Sequence, residues 1–405
     1  MSKIEDMFRA LKYRNFRLFF PGLTVSAIGI WIQNISINWL VYDITKSPFT
    51  LGTVMFFNAI PLFFVTPFAG VIVDKFDRHK LLMFVQILYS IQALFMVILS
   101  ISGLLRIWNI VLLGMFLNTI AAIDAPLRQS TFVCLVDDKK DLGNAISLNS
   151  SCFNIARLIG PAIGGLLIAY TNISVCFLIN FLCLLPIVFL VKLMDIKDKK
   201  CEEIQNESVF TGLKEGFVYA LNMPQIMTLL FYIGTFCFLI MIYPMLLPIY
   251  TAEILKANAD ILGFLLGAAG IGSLISSLLL AIKTSTKNLK EIIFWGVMLV
   301  CFCFIGLGFC HYKSIALILM FGVGFGSTAL LTPENMLLQS VIDDDKRGRI
   351  MSLNSLCFLG TTSISSFFAG TVAHIFGISN TFVILGGLML LIAFILSFRL
   401  SNLRF

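Results

Sequence analysis

Apolar runs of about twenty residues follow one another along this chain, divided by short polar turns. Twelve can be counted, near 18–42, 49–73, 81–102, 108–134, 143–169, 173–193, 224–250, 261–282, 291–310, 314–340, 352–376 and 380–398. Each is long enough, coiled as a helix, to cross a hydrocarbon layer roughly 30 Å thick. Inside lipid every backbone N–H and C=O must be satisfied within the segment, which favours helices. The pattern therefore predicts an all-α membrane protein with twelve transmembrane helices. The longest polar stretch, 195–222, divides the runs six and six. It is expected to be a cytoplasmic linker between residues 1–194 and residues 223–405, its later part an amphipathic helix.

The two halves repeat each other. Residues 147–153 read SLNSSCF and residues 352–358 read SLNSLCF, each following a short charged stretch, VDDKKD or DDDKRGR. Pro126 and Pro333 stand at matching places upstream, and Leu51-Gly52 is echoed by Leu262-Gly263. Duplicated apolar halves are the mark of transporters that work between two pseudo-symmetric bundles.

Composition sharpens this picture. Hydrophobic residues make up 59% of the chain and charged residues 13%, about half the share of a soluble domain. With the N-terminus inside, 24 of the 29 Lys and Arg residues fall on the inner side, against Lys46, Arg106, Lys256 and Lys313 outside. By the positive-inside rule both termini are cytoplasmic. The net charge of +7 then reports membrane orientation, and no basic patch with interleaved aromatics suggests nucleic acid. The first run is too long for a cleaved signal. The first seventeen residues, with five basic side chains, are expected to form an amphipathic helix on the cytoplasmic surface. Cysteines lie singly within apolar runs, and His79, His311 and His374 are scattered. This pattern suggests buried small hydrophobes, with no metal site, disulfide framework or cofactor. Nucleophile elbows and phosphate loops are also missing from the sequence, and all other loops are too short for a nucleotide-driven motor. An enzyme is not expected.

The stretch 70–80 reads GVIVDKFDRHK. Basic residues in an inner loop are ordinary; Gly70 and Asp74 are not explained that way. Gly70 permits close helix contact, and Asp74 can accept from a neighbouring helix N-terminus or a basic residue only when the halves are close. Here the chain resembles the major facilitator superfamily. The stretches RNFRLFFPGLTVSAIG, DITKSPFTLG, DAPLRQSTFVCLVDDKKDLGNAISLNSSCFNIARLIGPAIGG and DDDKRGRIMSLNS are similar to its branch of enterobactin exporters and drug:proton antiporters. The resemblance covers nearly the whole chain. It implies two six-helix bundles around a central cavity, alternating access, and gate residues at Asp74 and Arg78; the loop as a whole, with Gly70, Lys75 and Lys80, is read as the latch of one conformation. Two places depart from the pattern. The matching second-half stretch, 281–291, has neither the glycine nor the aspartate, and Gly29 is followed by Ile30 where many relatives carry an acid.

Polar residues inside apolar runs are costly and mark function by default. Arg157 lies 16 residues beyond Asp141, roughly 24 Å up a helix. It shares a face with Ser147, Ser150 and Asn154. It reads equally as an anion or coupling site and as a structural partner of Asp124. Asp124 and Arg128 stand four residues apart, and Glu334 follows Pro333; the two acids are the best titratable candidates. Arg128 could reach the loop of Asp74. Asn34 and Asn38 share a face of the first helix; Asn38 and Gln33 suit packing hydrogen bonds. Gly160, Pro161, Gly164 and Gly165, in GPAIGG, predict tight helix packing and a bend, and by resemblance lean towards export.

The reading is a monomeric secondary transporter of the inner membrane, embedded in lipid, with a small-molecule substrate and a proton or other ion as coupling partner. A siderophore or drug-like compound is the expected cargo. Lysophospholipid movement, or a transport-inactive sensor, are the alternatives.

Overall fold

In the computed structural model the described residues are 9–136, 138–194, 217–282, 289–343 and 346–402. All of their regular elements are helices: a 3-10 turn (Arg9–Lys12), then α1 (Arg14–Thr45), α2 (Pro48–Lys75), α3 (Arg78–Ile101), α4 (Ile107–Leu135), α5 (Lys139–Tyr170), α6 (Ile173–Lys192), α7 (Pro224–Leu239), α8 (Tyr243–Glu253), α9 (Ala259–Ile282), α10 (Leu289–Phe309), α11 (Lys313–Val341), α12 (Arg347–Phe376) and α13 (Ile378–Asn402). Among the described residues, twelve segments are long and apolar enough to cross a membrane, with α7 and α8 counted as one. The twelve runs and the all-α class are thus as expected. Most of the linker, 195–216, lies outside the described residues, as does 283–288 of the second-half loop.

The seventh run differs from a single rod. α7 ends at Leu239 and α8 starts at Tyr243 with Pro244 in its first turn. Proline has no N–H to give the carbonyl four residues earlier, so Pro244 sits at no cost in the first turn of a new helix, where that donor would be unpaired anyway. Elsewhere the sequence sets helix ends locally. Ser47 accepts from Thr50 N at 3.2 Å where Pro48 opens α2. Asp77 accepts from Lys80 N at 2.8 Å and caps α3, and Asn172 accepts from Val175 N at 3.1 Å and caps α6. Each such cap contributes about 1 kcal/mol.

The duplication has a geometric counterpart. SLNSSCF lies within α5 and SLNSLCF within α12, the fifth and eleventh spans, while Pro126 and Pro333 lie inside α4 and α11. Lys46, after α1, and Lys256, after α8, both take a left-handed conformation, with φ of 47° and 46°. Leu51 and Leu262 are both fully buried.

The chain forms two compact units, Met1–Leu40 with Phe57–Gln205 and Val41–Phe56 with Asn206–Phe405. In the first, α3 packs along α4 and α6, and the 3-10 turn rests on α5. Its core gathers Phe16, Phe19, Leu82, Leu127, Leu135 and Ile187, with Phe132 in ring contact with both Phe16 and Phe19. In the second unit α11 packs along α9 and α10, α10 along α13, and α7 along α12. Tyr250, Phe304 and Phe382 meet edge to face at its centre. Phenylalanines at 84, 95, 302 and 394 are exposed on the helix surfaces, as lipid-facing positions require.

The end of α1 and start of α2 belong to the second unit. There the Tyr42 hydroxyl donates to Glu253 at 2.6 Å. A Cβ built on Gly52 would come within 2.9 Å of Gly370 Cα, so two backbones meet where only glycine fits.

Candidate functional site

The turn between α2 and α3 holds the loop singled out in the sequence. Asp74 and Lys75 close α2, and Arg78 opens α3. The side chain of Asp74 lies outside what the structure describes. Arg78 donates to Cys134 Sγ on α4 at 3.3 Å, Lys75 and Lys80 are exposed, and His79 lies 2.8 Å from the Val191 carbonyl of α6. Gly70 corrects an expectation. Among the described residues a Cβ there would meet nothing within 4 Å, so no close helix contact accounts for this glycine within its unit.

Arg128 meets a partner on its own helix. Its guanidinium is 2.8 Å from Asp124 Oδ2 and 4.9 Å from the Phe153 ring of α5. The same Asp124 oxygen accepts from the Tyr89 hydroxyl of α3 at 3.3 Å. Asp124 is 2% exposed, so its charge is nearly stripped of water. A buried carboxylate persists only with a partner charge and hydrogen bonds, and Arg128 and Tyr89 supply both. The i, i+4 spacing made the ion pair visible in the sequence; nothing there pointed to Tyr89.

Helix α5 runs unbroken through Pro161. Ser147, Ser150 and Asn154 are exposed along it and Arg157 is half-buried, so this polar stripe lies on an accessible face. The hydroxyls of Ser147 and Ser150 bond back to Gly143 O and Ile146 O, at 2.9 Å and 3.1 Å. On another side, a Cβ added to Gly160 would lie 2.5 Å from Trp31 Cβ, and one on Gly164 would lie 2.6 Å from Ile35 Cγ2. The two glycines let α5 lie directly against α1, and Pro161 and Gly165 beside them are buried.

In α1, Asn34 and Asn38 are half-buried. Gln33 is fully buried; it donates to Gln92 of α3 at 3.3 Å and accepts from Asn180 of α6 at 2.8 Å. This network ties three helices together.

Glu334 has the opposite character to Asp124. It is fully buried in α11, and neither carboxylate oxygen has a hydrogen-bond partner. It lines a cavity of about 250 Å³ between α7, α11 and α12, with Ile233, Leu331, Asn335, Asn354 and Phe358 among its walls. Asn354 Oδ1 is also buried without a partner.

The sequence reading missed one cluster entirely. Asp141, at the start of α5 and 3% exposed, sits 2.6 Å from Lys12 Nζ and 3.6 Å from Arg9 Nε. It also accepts from the Tyr13 hydroxyl at 3.0 Å. Ala10 N donates to Asn144 Oδ1 at 3.0 Å. The described part of the N-terminus is therefore a 3-10 turn docked on α5, in place of the expected amphipathic surface helix. The reason is local: Ala10 is small enough to be fully buried, and three donors converge on one carboxylate. The hydrogen bond to Asp141 raises the Lys12 pKa above the ordinary lysine value. Among the described residues no group of three His, Cys, Asp or Glu side chains gathers as a metal site.

Comparison with known proteins agrees with this architecture. A family described as transmembrane secretion effectors, of the major facilitator type, matches residues 6–404. The staphyloferrin A transporter of Staphylococcus aureus (strain NCTC 8325 / PS 47) is 27% identical, over 91% of this chain and 92% of that protein. The multidrug efflux pump Tap of Mycolicibacterium fortuitum is 23% identical, over 94% of each. Among solved structures, a bacterial homologue of the human lysosomal transporter Spinster superposes with a TM-score of 0.76 at 12% identity, covering 96% of this chain and 97% of that one. A bacterial homologue of the iron transporter ferroportin gives 0.74 at 15%, covering 96% and 99%. With a match over almost its whole length, the chain belongs to the transmembrane secretion effector family of major facilitator transporters: it is a multi-pass membrane transporter, not an enzyme.

Proposed function

We propose that this transporter exports a small organic compound, siderophore-like or drug-like, across the inner membrane by alternating access. The observation that carries this reading is the end-to-end similarity to a staphyloferrin A transporter and a multidrug efflux pump. The duplicated halves and the GPAIGG segment of α5 support it. The chain works as a monomer with both termini in the cytoplasm, as the excess of basic residues in the inner loops favours. A proton or other ion drives the cycle. Gly70, Asp74, Lys75, Arg78 and Lys80 form its gate. Arg157, Asn154, Asn34 and Asn38 supply polar contacts to cargo, since half-buried or exposed polar groups on spanning helices need a watery or ligand-filled space.

The test compares culture supernatants of a deletion strain and its complemented parent by untargeted mass spectrometry, followed by transport of the differing compound into inverted vesicles. A compound depleted outside the deletion strain and accumulated by vesicles is the expected result. Supernatants that do not differ, or a compound that the deletion strain fails to take up, would overturn export.

A further inference from the structure

Glu334 and Asn354 line one cavity in the second unit, and their unpartnered buried atoms are all acceptor oxygens. Both oxygens of Glu334 and Oδ1 of Asn354 are buried and unpartnered. An ionised carboxylate in such a place costs several kcal/mol unless something shares its charge. At Asp124 that role falls to Arg128, 2.8 Å away. The lining of the Glu334 cavity contains neither Lys nor Arg. Nor do neighbouring side chains fill the gap. Ser355 directs its one O–H to the Met351 carbonyl at 3.0 Å, and Asn335, whose Oδ1 accepts from Gln339, gives no hydrogen bond to either Glu334 oxygen.

The missing partner can be described from what is present. Three orphan acceptors call for a group with several N–H donors and a positive charge. A protonated primary amine offers three donors, and a guanidinium five. The rest of the lining, including Ile233, Leu331 and Phe358, suits an apolar body, and an aromatic face attracts a cation. A volume of about 250 Å³ admits such a head group with part of its scaffold. We infer that this cavity is a subsite for the protonated, hydrogen-bond-donating nitrogen of the transported compound, with Glu334 as its counter-ion and Asn354 as a second acceptor. This deepens the proposed function by naming a substrate class, and it rests on that reading only for the word transported; the binding itself does not.

The full chain, purified in detergent micelles, is titrated with three probes of one shape: 2-phenylethylammonium, its N,N,N-trimethyl analogue and neutral 2-phenylethanol. Thermal unfolding and equilibrium binding are both read. The primary ammonium should bind at least about tenfold more tightly than either analogue, because a charge-assisted hydrogen bond contributes roughly that factor. Glu334→Gln should abolish the preference. Asn354→Leu keeps the carboxylate and should reduce the preference while retaining part of it, which serves if Glu334→Gln does not fold. Equal responses to the three probes, including no response to any, would overturn the subsite, as would a preference that survives in Glu334→Gln. Ammonium binding lost in Glu334→Gln, in a protein that fails the supernatant test, would sink export and leave the subsite standing.

Discussion

The guanidinium of Arg128 lies 2.8 Å from the carboxylate of Asp124, one turn away on the same helix. Tyr89, from α3, completes the group. The pair is enclosed in the first unit, whereas Glu334 in the second unit has no such support. The two acids that the sequence ranked together therefore differ in kind.

Breaking the α4 pair from one side should hurt more than removing both charges. Arg128→Gln leaves Asp124 buried and unpaired, which costs about 3 kcal/mol or more. The double change Asp124→Asn with Arg128→Gln should recover most of that stability. Tyr89→Phe should cost less, about 1–2 kcal/mol. Unfolding temperatures of the purified variants test the order. Additive losses in the double variant would show that the two residues do not act as a pair.

The N-terminal clasp predicts a pH and mutation pattern. Lys12 has a raised pKa because Asp141 bonds to its charged form. Such a group contributes fully below the ordinary lysine value and loses its contribution as pH rises through the folded value. The turn should thus stay docked across the physiological range and, as pH rises, loosen in strong alkali. Asp141→Asn should release it at neutral pH, and more completely than Lys12→Gln, since Arg9 and Tyr13 also depend on that carboxylate. Protease cleavage at the residues before Arg14, followed by mass spectrometry, reads this directly. Equal cleavage in wild type and Asp141→Asn would refute the clasp.

Helix α5 should not accept a side chain at its contact with α1. Gly160→Leu would drive carbon atoms into Trp31 and cost about 1–3 kcal/mol or more through overpacking. Gly70→Leu meets no atom of the described residues within 4 Å and should leave the folded yield unchanged. Gel-filtration yield of the two variants makes the comparison, and a well-folded Gly160→Leu would contradict the packing.

The gate proposal concerns Asp74. Asp74→Asn should leave insertion intact while transport falls by about tenfold, the effect of losing one charge-assisted contact. Reactivity of an introduced cysteine from the cytoplasmic side should rise. Unchanged transport would remove Asp74 from the gate.

The sequence by itself determined the twelve spans, because a lipid core demands about twenty apolar residues and an internally bonded helix, and both leave a linear trace. It also determined the repeat: matching words at 147–153 and 352–358 occupy the fifth and eleventh spans. Helix caps such as Asp77 were equally local. The break between α7 and α8 was not legible from Pro244, because Pro126, Pro161 and Pro333 lie inside continuous helices. Partnership was another matter. Only the tertiary structure decided that Tyr89 joins the Asp124 pair and that Glu334 lacks a partner, that Gln33 reaches Gln92 and Asn180, and that Asp141 holds the N-terminal turn. Those pairs are separated by up to 147 residues along the chain. Which buried polar groups meet depends on how helices rotate about their own axes, and that rotation follows from packing at small residues such as Gly160 and Gly164, where the backbones come close enough to choose their neighbours.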